Sequence, residues 1–338
     1  MKLFLKKVSC FALIAMIPIL GLFIMYLYWD PFKVLKSYKD YSNSSVITNR
    51  DYISTSMFLY NKGKYNYNSF IFGSSRTLAF RPQSWQKFLP PDAVPYMFDA
   101  SRESIYGIYT KLKFLDSTKV PIKNVLIILC RDCSFSQSGN HEGHLFVKHP
   151  ATSGESNWSF QANFLEAYYS PKFLFNFYSY KLLGHYHPFM SGYIEDRKIV
   201  FDTITNEISI LGQENEILQN PNEYYTRRNS LFYERIGEKT DTTQRINEKH
   251  RFMLKEVTSI LERNKTNYKV ILSPLYEQVK FNQADLSILE AEFGDKLFDF
   301  SGKNSFTDYK TNYYETSHFR PIVGDSILKL IYSGATGR

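Results

Sequence analysis

The apolar positions of the chain fall into one long run and several short ones. Val8 to Tyr28 reads VSCFALIAMIPILGLFIMYLY and contains no charged residue. About 20 apolar residues suffice for a helix to cross the hydrocarbon core of a bilayer. Lys2, Lys6 and Lys7 precede the run, so the positive-inside rule keeps residues 1–7 in the cytoplasm and exports everything after Asp30. Tyr26, Tyr28 and Trp29 then fall at the outer interface. A cleaved signal peptide is the rival reading, but its apolar region would be shorter and would end in small residues. Here the run ends in Met25-Tyr26-Leu27-Tyr28-Trp29-Asp30-Pro31. Residues 8–28 are therefore expected to form an uncleaved signal anchor, kinked at Pro18. No second apolar run has comparable length, so the chain is expected to cross the cytoplasmic membrane once.

Beyond a polar and aromatic juxtamembrane stretch, 29–66, for which no element is predicted, short apolar runs alternate with helical periods. Ser69-Phe70-Ile71-Phe72-Gly73 reads as a buried strand, and Val94 to Asp99 as a weaker one. Ile105 to Leu115 has helical spacing. Asn124 to Leu129 is nearly continuous in apolar character, as suits a parallel strand buried on both faces. Thr243 to Arg263 is helical, with Ile246, Met253, Val257 and Ile260 on one face. Strands at Tyr268–Pro274 and Lys296–Phe300 follow, then a terminal helix from Pro321 to Tyr332. Strands alternating with helices predict an α/β fold of three layers, α/β/α, around a central parallel sheet. Residues 67–338 would be the exported domain. Residues from about 134 to 242 lack clear periodicity and read as a large insertion with helices near Phe160 to Tyr180.

Composition narrows the class. The chain has 338 residues with 43% hydrophobic residues, enough for a sizeable core. Three cysteines are too few for a disulfide framework. A net charge of +8 is spread without a long basic run, which argues against nucleic-acid binding. Aromatics at 17% are either stacking surfaces for sugars or bases, or codon bias, since Lys, Asn, Ile, Tyr and Phe are abundant together.

Functional residues in parallel sheets gather at the carboxyl ends of the strands. Gly73-Ser74-Ser75-Arg76 puts a serine at a strand-to-helix turn, where backbone N–H groups could stabilise an oxyanion; the alternative is a plain N-cap. Glu315-Thr316-Ser317-His318 places a carboxylate three residues before a histidine. It could orient the imidazole so that the other ring nitrogen acts as general base; the alternative is a surface helix start with a solvated His. Cys130-Arg131-Asp132-Cys133 can be free thiols, a local disulfide or a redox pair. With no second such motif and no histidine at finger spacing, zinc is not expected. His141, His144 and His149 could line a cleft or bind a metal, or be ordinary surface histidines. Ser69, Tyr276 and Arg320 are further cleft candidates.

Taken together, the two blocks resemble the SGNH/GDSL hydrolase superfamily, in which a serine in a G-D-S block follows the first strand and a D-x-x-H block precedes the last helix. The spacing of Ile71-Phe72-Gly73-Ser74-Ser75-Arg76 from the apolar run also looks like the membrane-anchored bacterial branch, which includes the alginate O-acetylation and teichoic-acid D-alanylation proteins. The resemblance covers about residues 67–133 and 243–334. It implies an SGNH/flavodoxin-like sheet, Ser75 as nucleophile, His318 as base, Glu315 as its orienting acid, and no cofactor or metal. Ser74 stands where the family has Asp, and Glu315 where it has the last Asp. Ser104 falls at the position of the oxyanion glycine and Asp132 at that of the oxyanion asparagine. An ionised Asp cannot donate to an oxyanion, so Asp132 is protonated, Arg76 or Arg131 takes over, or the hole differs.

Two functions are compatible with these residues. One is an exported serine esterase or O-acyltransferase acting on a cell-envelope polysaccharide through an acyl-enzyme, acetyl being the expected group, with a membrane-bound O-acyltransferase as a possible supplier. The other is a catalytically silent scaffold that binds glycan or assembles a polysaccharide-modification complex. A thiol oxidoreductase using Cys130 and Cys133 is a distant third.

Overall fold

The computed structural model describes residues 1–333. Its longer helices are α1 (Lys2–Trp29), α2 (Arg50–Tyr65), α3 (Ile105–Ser117), α4 (Asn157–Tyr169), α5 (Pro171–Leu183), α6 (Glu248–Arg263), α7 (Gln283–Phe293) and α8 (Pro321–Tyr332). Five strands make the central sheet: β1 (Ser69–Gly73), β2 (Pro95–Met97), β3 (Asn124–Leu129), β4 (Asn267–Leu272) and β5 (Leu297–Asp299). They run parallel in the order β2-β1-β3-β4-β5. The chain leaves β1 toward one edge and later returns to β3 on its other side, so the direction of winding reverses between β1 and β3.

Side chains of a strand alternate between faces, and here the alternation feeds two cores. Phe70, Phe72, Val125, Ile127, Leu129, Val270 and Leu272 join one cluster with Met57 of α2, Leu112 of α3, Val257 of α6 and Leu289 of α7. Ile71, Leu126, Ile128 and Ile271 join the other, with Trp85 and with Ile327 and Leu328 of α8. Helices thus cover both faces, which is why the strands read as unbroken apolar runs. Helix α6 opens on a capping box between Asn247 and His250, and α8 opens with Pro321 at its first position.

The stretch from Asp30 to Asn66, for which the sequence predicts no element, contributes α2 to the main core. Its amphipathic pattern is masked because its buried face carries charge: Arg50 and Asp51 are both buried. Arg50 pairs with Asp99 at 2.6 Å, just past β2. Asp51 belongs to a buried tetrad in which Lys111 Nζ lies 2.9 Å from Asp51 and 2.6 Å from Glu103, while Lys148 bonds to Glu103 and lies 3.4 Å from Asp51. Burial works against the Asp51 carboxylate, but the two ammonium groups outweigh it and hold its pKa below the usual range. These pairs pin the loop between β2 and α3.

Residues between β3 and α6 include α4, α5 and a small antiparallel pair, Ile199–Phe201 with Ile208–Ile210. Part of this segment packs on the stretch between α1 and α2, through a bridge between Val46 and Ile194. Helix α1 is long and apolar enough to cross a membrane, with a mean hydropathy of 2.6 over its best window. Among the described residues it is the one helix of that kind.

Candidate active site

The C-terminal ends of β1 and β3 meet at the reversal of strand order, the usual place for ligands in open parallel sheets. Gly73 closes β1 with φ +148°, and a Cβ there would lie 2.6 Å from the Ile128 carbonyl oxygen. Only glycine fits this exit. The chain then turns into a single 3₁₀ segment, Ser75–Ala79, rather than a longer helix. Ser74 is its N-cap, accepting the Arg76 N–H. The cap role thus falls to Ser74, and the Ser75 hydroxyl is free for another partner.

That partner comes from the far end of the chain. The segment before α8 folds as a hairpin of β6 (Tyr313–Glu315) and β7 (His318–Phe319), in which Glu315 and His318 are directly opposed. The expected alternative, a surface helix start, is not formed. His318 Nε2 lies 2.8 Å from Ser75 Oγ, and its Nδ1 bonds to Glu315 Oε1. The second Glu315 oxygen accepts the Ser317 N–H at 2.6 Å. This pattern sets Nδ1 as the donor to the carboxylate and leaves Nε2 to accept the serine proton. Burial alone would raise the Glu315 pKa, but the hydrogen bond and charge of His318, the Ser317 N–H and Arg76 lower it below the usual glutamate value. His318 and Glu315 side chains are 30% and 28% exposed, so the site is open to a substrate.

Arg76 ties the two halves together. Its buried guanidinium donates to the Ser317 carbonyl at 3.0 Å, to Asp132 at 2.7 Å and to Cys133 Sγ at 3.6 Å. Asp132 therefore sits as the exposed half of an ion pair, not as an isolated charge. Arg131 turns away, to Asp241 and Glu277. Ser104 is fully buried, and its hydroxyl lies 3.4 Å from His141 Nε2. Neither Ser104 nor Asp132 has a hydrogen bond to Ser75 or His318 among the described residues.

Cys130 and Cys133 are buried free thiols. Cys130 Sγ lies 3.4 Å from Ser74 Oγ and 3.3 Å from Ser273 Oγ. Burial raises its pKa, yet a hydrogen bond from Cys133 and the charge of Arg76 bring it down to about 6. Cys133 is pushed well up, by its bond to Cys130 and by burial. Cys130, Cys133 and Asp132 offer ligand atoms within 4.8 Å of one another. The Arg76 guanidinium already donates to two of the three, so the place of a cation is taken by a fixed one.

The three histidines after β3 do not come together. His144 packs on Phe32 and Phe164, and His149 stacks on Tyr52 and caps a short helix. Burial takes the His149 pKa down to about 4. Of the other cleft candidates, Ser69 is buried within β1 on Asn68 and Asn124, Tyr276 lies under the Arg235 guanidinium, and Arg320 is paired with Glu214 at 2.6 Å.

What sequence reasoning missed is the clamp on the hairpin. Tyr224 and Tyr225 donate to the carbonyls of Tyr314 and Tyr313, and Glu214 holds both Arg320 and the Tyr314 hydroxyl. These residues lie in the aperiodic 134–242 segment, and no spacing rule links them to residue 314. Beside the clamp is a cavity of 110 Å³ lined by Leu78, Arg81, Glu207, Glu214, Tyr314 and Pro321. Leu78, in the same 3₁₀ segment as Ser75, is part of its lining. A roomier groove of 660 Å³ runs between α6 and α7, and none of the three site residues lines it. No protein-family model matches the chain, and no curated protein matches it.

Proposed function

We propose that this chain is a membrane-anchored, exported serine esterase or O-acyltransferase of SGNH type, acting on an acylated glycan of the cell envelope. The observation that carries the proposal is the relay from Ser75 through His318 to Glu315. In the reaction, His318 Nε2 takes the hydroxyl proton as Ser75 Oγ attacks the ester carbonyl. Glu315 stabilises the imidazolium through Nδ1–H. Collapse of the tetrahedral adduct expels the alcohol, which takes the proton back from His318, and leaves an ester on Ser75. Water or a glycan hydroxyl then attacks that ester, with His318 again as base, and regenerates the serine. Acetyl as the acyl group, an envelope polysaccharide as the substrate and a membrane-bound O-acyltransferase as supplier rest on the family resemblance. The anchor reading is supported by the packing of Tyr26 and Trp29 on α4 and α5, contacts that a cleaved signal peptide would lose.

The test is labelling of the full chain with a fluorophosphonate, the adduct being located by mass spectrometry. An adduct on Ser75 that is lost in Ser75→Ala and His318→Ala is the expected result. No adduct on the folded chain would sink the enzyme reading.

One observation favours the second reading, a glycan-binding or assembly scaffold. The position of the family's oxyanion asparagine is held by Asp132, an acceptor tied to Arg76, in place of an amide donor. Glycan binding that survives Ser75→Ala, on a chain that never labels, would favour that scaffold.

A further inference from the structure

The corner between α4 and α5 is attached to α1 well below its outer end. Tyr169 Oη donates to the Ile19 carbonyl at 2.8 Å, and Tyr168 Oη to that of Leu22 at 3.0 Å. The Tyr168 ring packs on Tyr26 at 5.0 Å, and Trp29 meets Phe177 and Tyr178 edge-on at 5.5 and 5.6 Å. The contacts run from Ile19 to Trp29, about 15 Å of helix axis. Helix α1 has 28 residues, about 42 Å, which matches a hydrocarbon core of ~30 Å plus both headgroup layers. With Trp29 at the outer rim, Leu22 lies about 10 Å below it, deeper than a headgroup layer of roughly 6 Å. The corner that grips Leu22 and Ile19 must then pass through the headgroups.

The surface beside this corner has the chemistry for that position. Phe175 and Phe189 are 64% and 51% exposed, with ring centroids 5.8 Å apart, and Leu182 and Leu183 are 86% and 45% exposed. Residues 167–194 contain no Asp or Glu, although the chain has 33 acidic residues in 338, which would place about three in a stretch of that length by composition. The same stretch carries exposed Lys172 and Lys181, and Lys181 Nζ lies 5.4 Å from the Trp29 ring. Aromatic rings with long cationic side chains and no carboxylates suit a membrane interface, where rings sit among the headgroups and ammonium groups reach the phosphates.

We propose that α5 and the turn after it lie in the outer-leaflet interface of the membrane that α1 crosses. Phe175, Leu182, Leu183 and Phe189 enter the headgroup–acyl boundary, and Lys172 and Lys181 meet lipid phosphates. The inference rests on the anchor reading above. Lipid is the occupant because the patch is continuous with the flank of α1, so whatever surrounds α1 at that height also bathes the patch. Two attachments, one through the bilayer and one along its surface, fix the height and tilt of the sheet.

The test uses the wild-type full chain in vesicles of phosphatidylethanolamine and phosphatidylglycerol, doped with a phosphatidylglycerol that bears a diazirine near the top of one acyl chain. After illumination, adducts are mapped by peptide mass spectrometry. Adducts on α1 and on peptides within residues 173–197 are expected, at comparable yield. Adducts on α1 alone would overturn this inference and leave the anchor standing. Adducts on neither would overturn the anchor reading as well.

Discussion

Ser75 Oγ lies 2.8 Å from His318 Nε2 although 243 residues separate them in the chain. The contact exists because β1 ends at a glycine that only a bare backbone can occupy, and because a two-residue turn sets Glu315 opposite His318. Each half is locally built, and the sheet with its α8 layer brings them together.

Glu315→Gln keeps a hydrogen-bonding group but removes the charge that supports the imidazolium. The rate of Ser75 acylation should fall by about 10³- to 10⁴-fold, measured with an activated ester. The same variant reports a pH effect. The Glu315 pKa is lowered in the folded chain, so its contribution to stability is full above the unfolded value and is lost as pH falls through the folded one. The wild type should be more stable than Glu315→Gln at pH 7, with the gap closing in acid below the ordinary glutamate range. A gap that widens in acid would contradict the assignment.

Asp132→Asn replaces an acceptor with a donor next to Arg76. If the position belongs to the oxyanion site, acylation of Ser75 should rise, by roughly tenfold or more. The fluorophosphonate rate reads this directly. An unchanged rate would place Asp132 outside the oxyanion site.

The thiols share hydrogen bonds with Ser74, Ser273 and Arg76 and none with Ser75 or His318. The Cys130→Ser, Cys133→Ser double variant should therefore keep Ser75 labelling within about threefold of wild type, the loss reflecting only a softer Arg76 contact. Abolished labelling with an intact fold would restore a thiol role.

Lys111→Met leaves Asp51 and Glu103 buried with Lys148 as the remaining cation of the tetrad. Breaking a buried pair from one side costs about 3–5 kcal/mol, so urea unfolding should show a loss of that order. Exposed pairs such as Lys123 with Asp92 should give no measurable loss when broken.

The sequence by itself determined the elements whose signal is local. The uncharged run in α1, the continuous apolar strands β1 and β3, the helical period of α6 and the proline start of α8 all appear where hydrophobic spacing puts them, since burial of a periodic face is decided within one element. Ser75, Glu315 and His318 were also legible, because a serine after a strand and an E-x-x-H before the last helix are short motifs. Tertiary structure decided the rest. Helix α2 carries charges on its buried face, and only partners 49 or more positions away, Asp99, Lys111 and Lys148, make that face tolerable. The role of Arg76, the pairing of Asp132 and the tyrosine clamp from residues 224 and 225 are contacts between distant segments, and hydrophobic period carries no information about them. The dispersal of His141, His144 and His149 follows the same logic: closeness in sequence on an irregular segment sets no common direction, and each ring was claimed by a different neighbour.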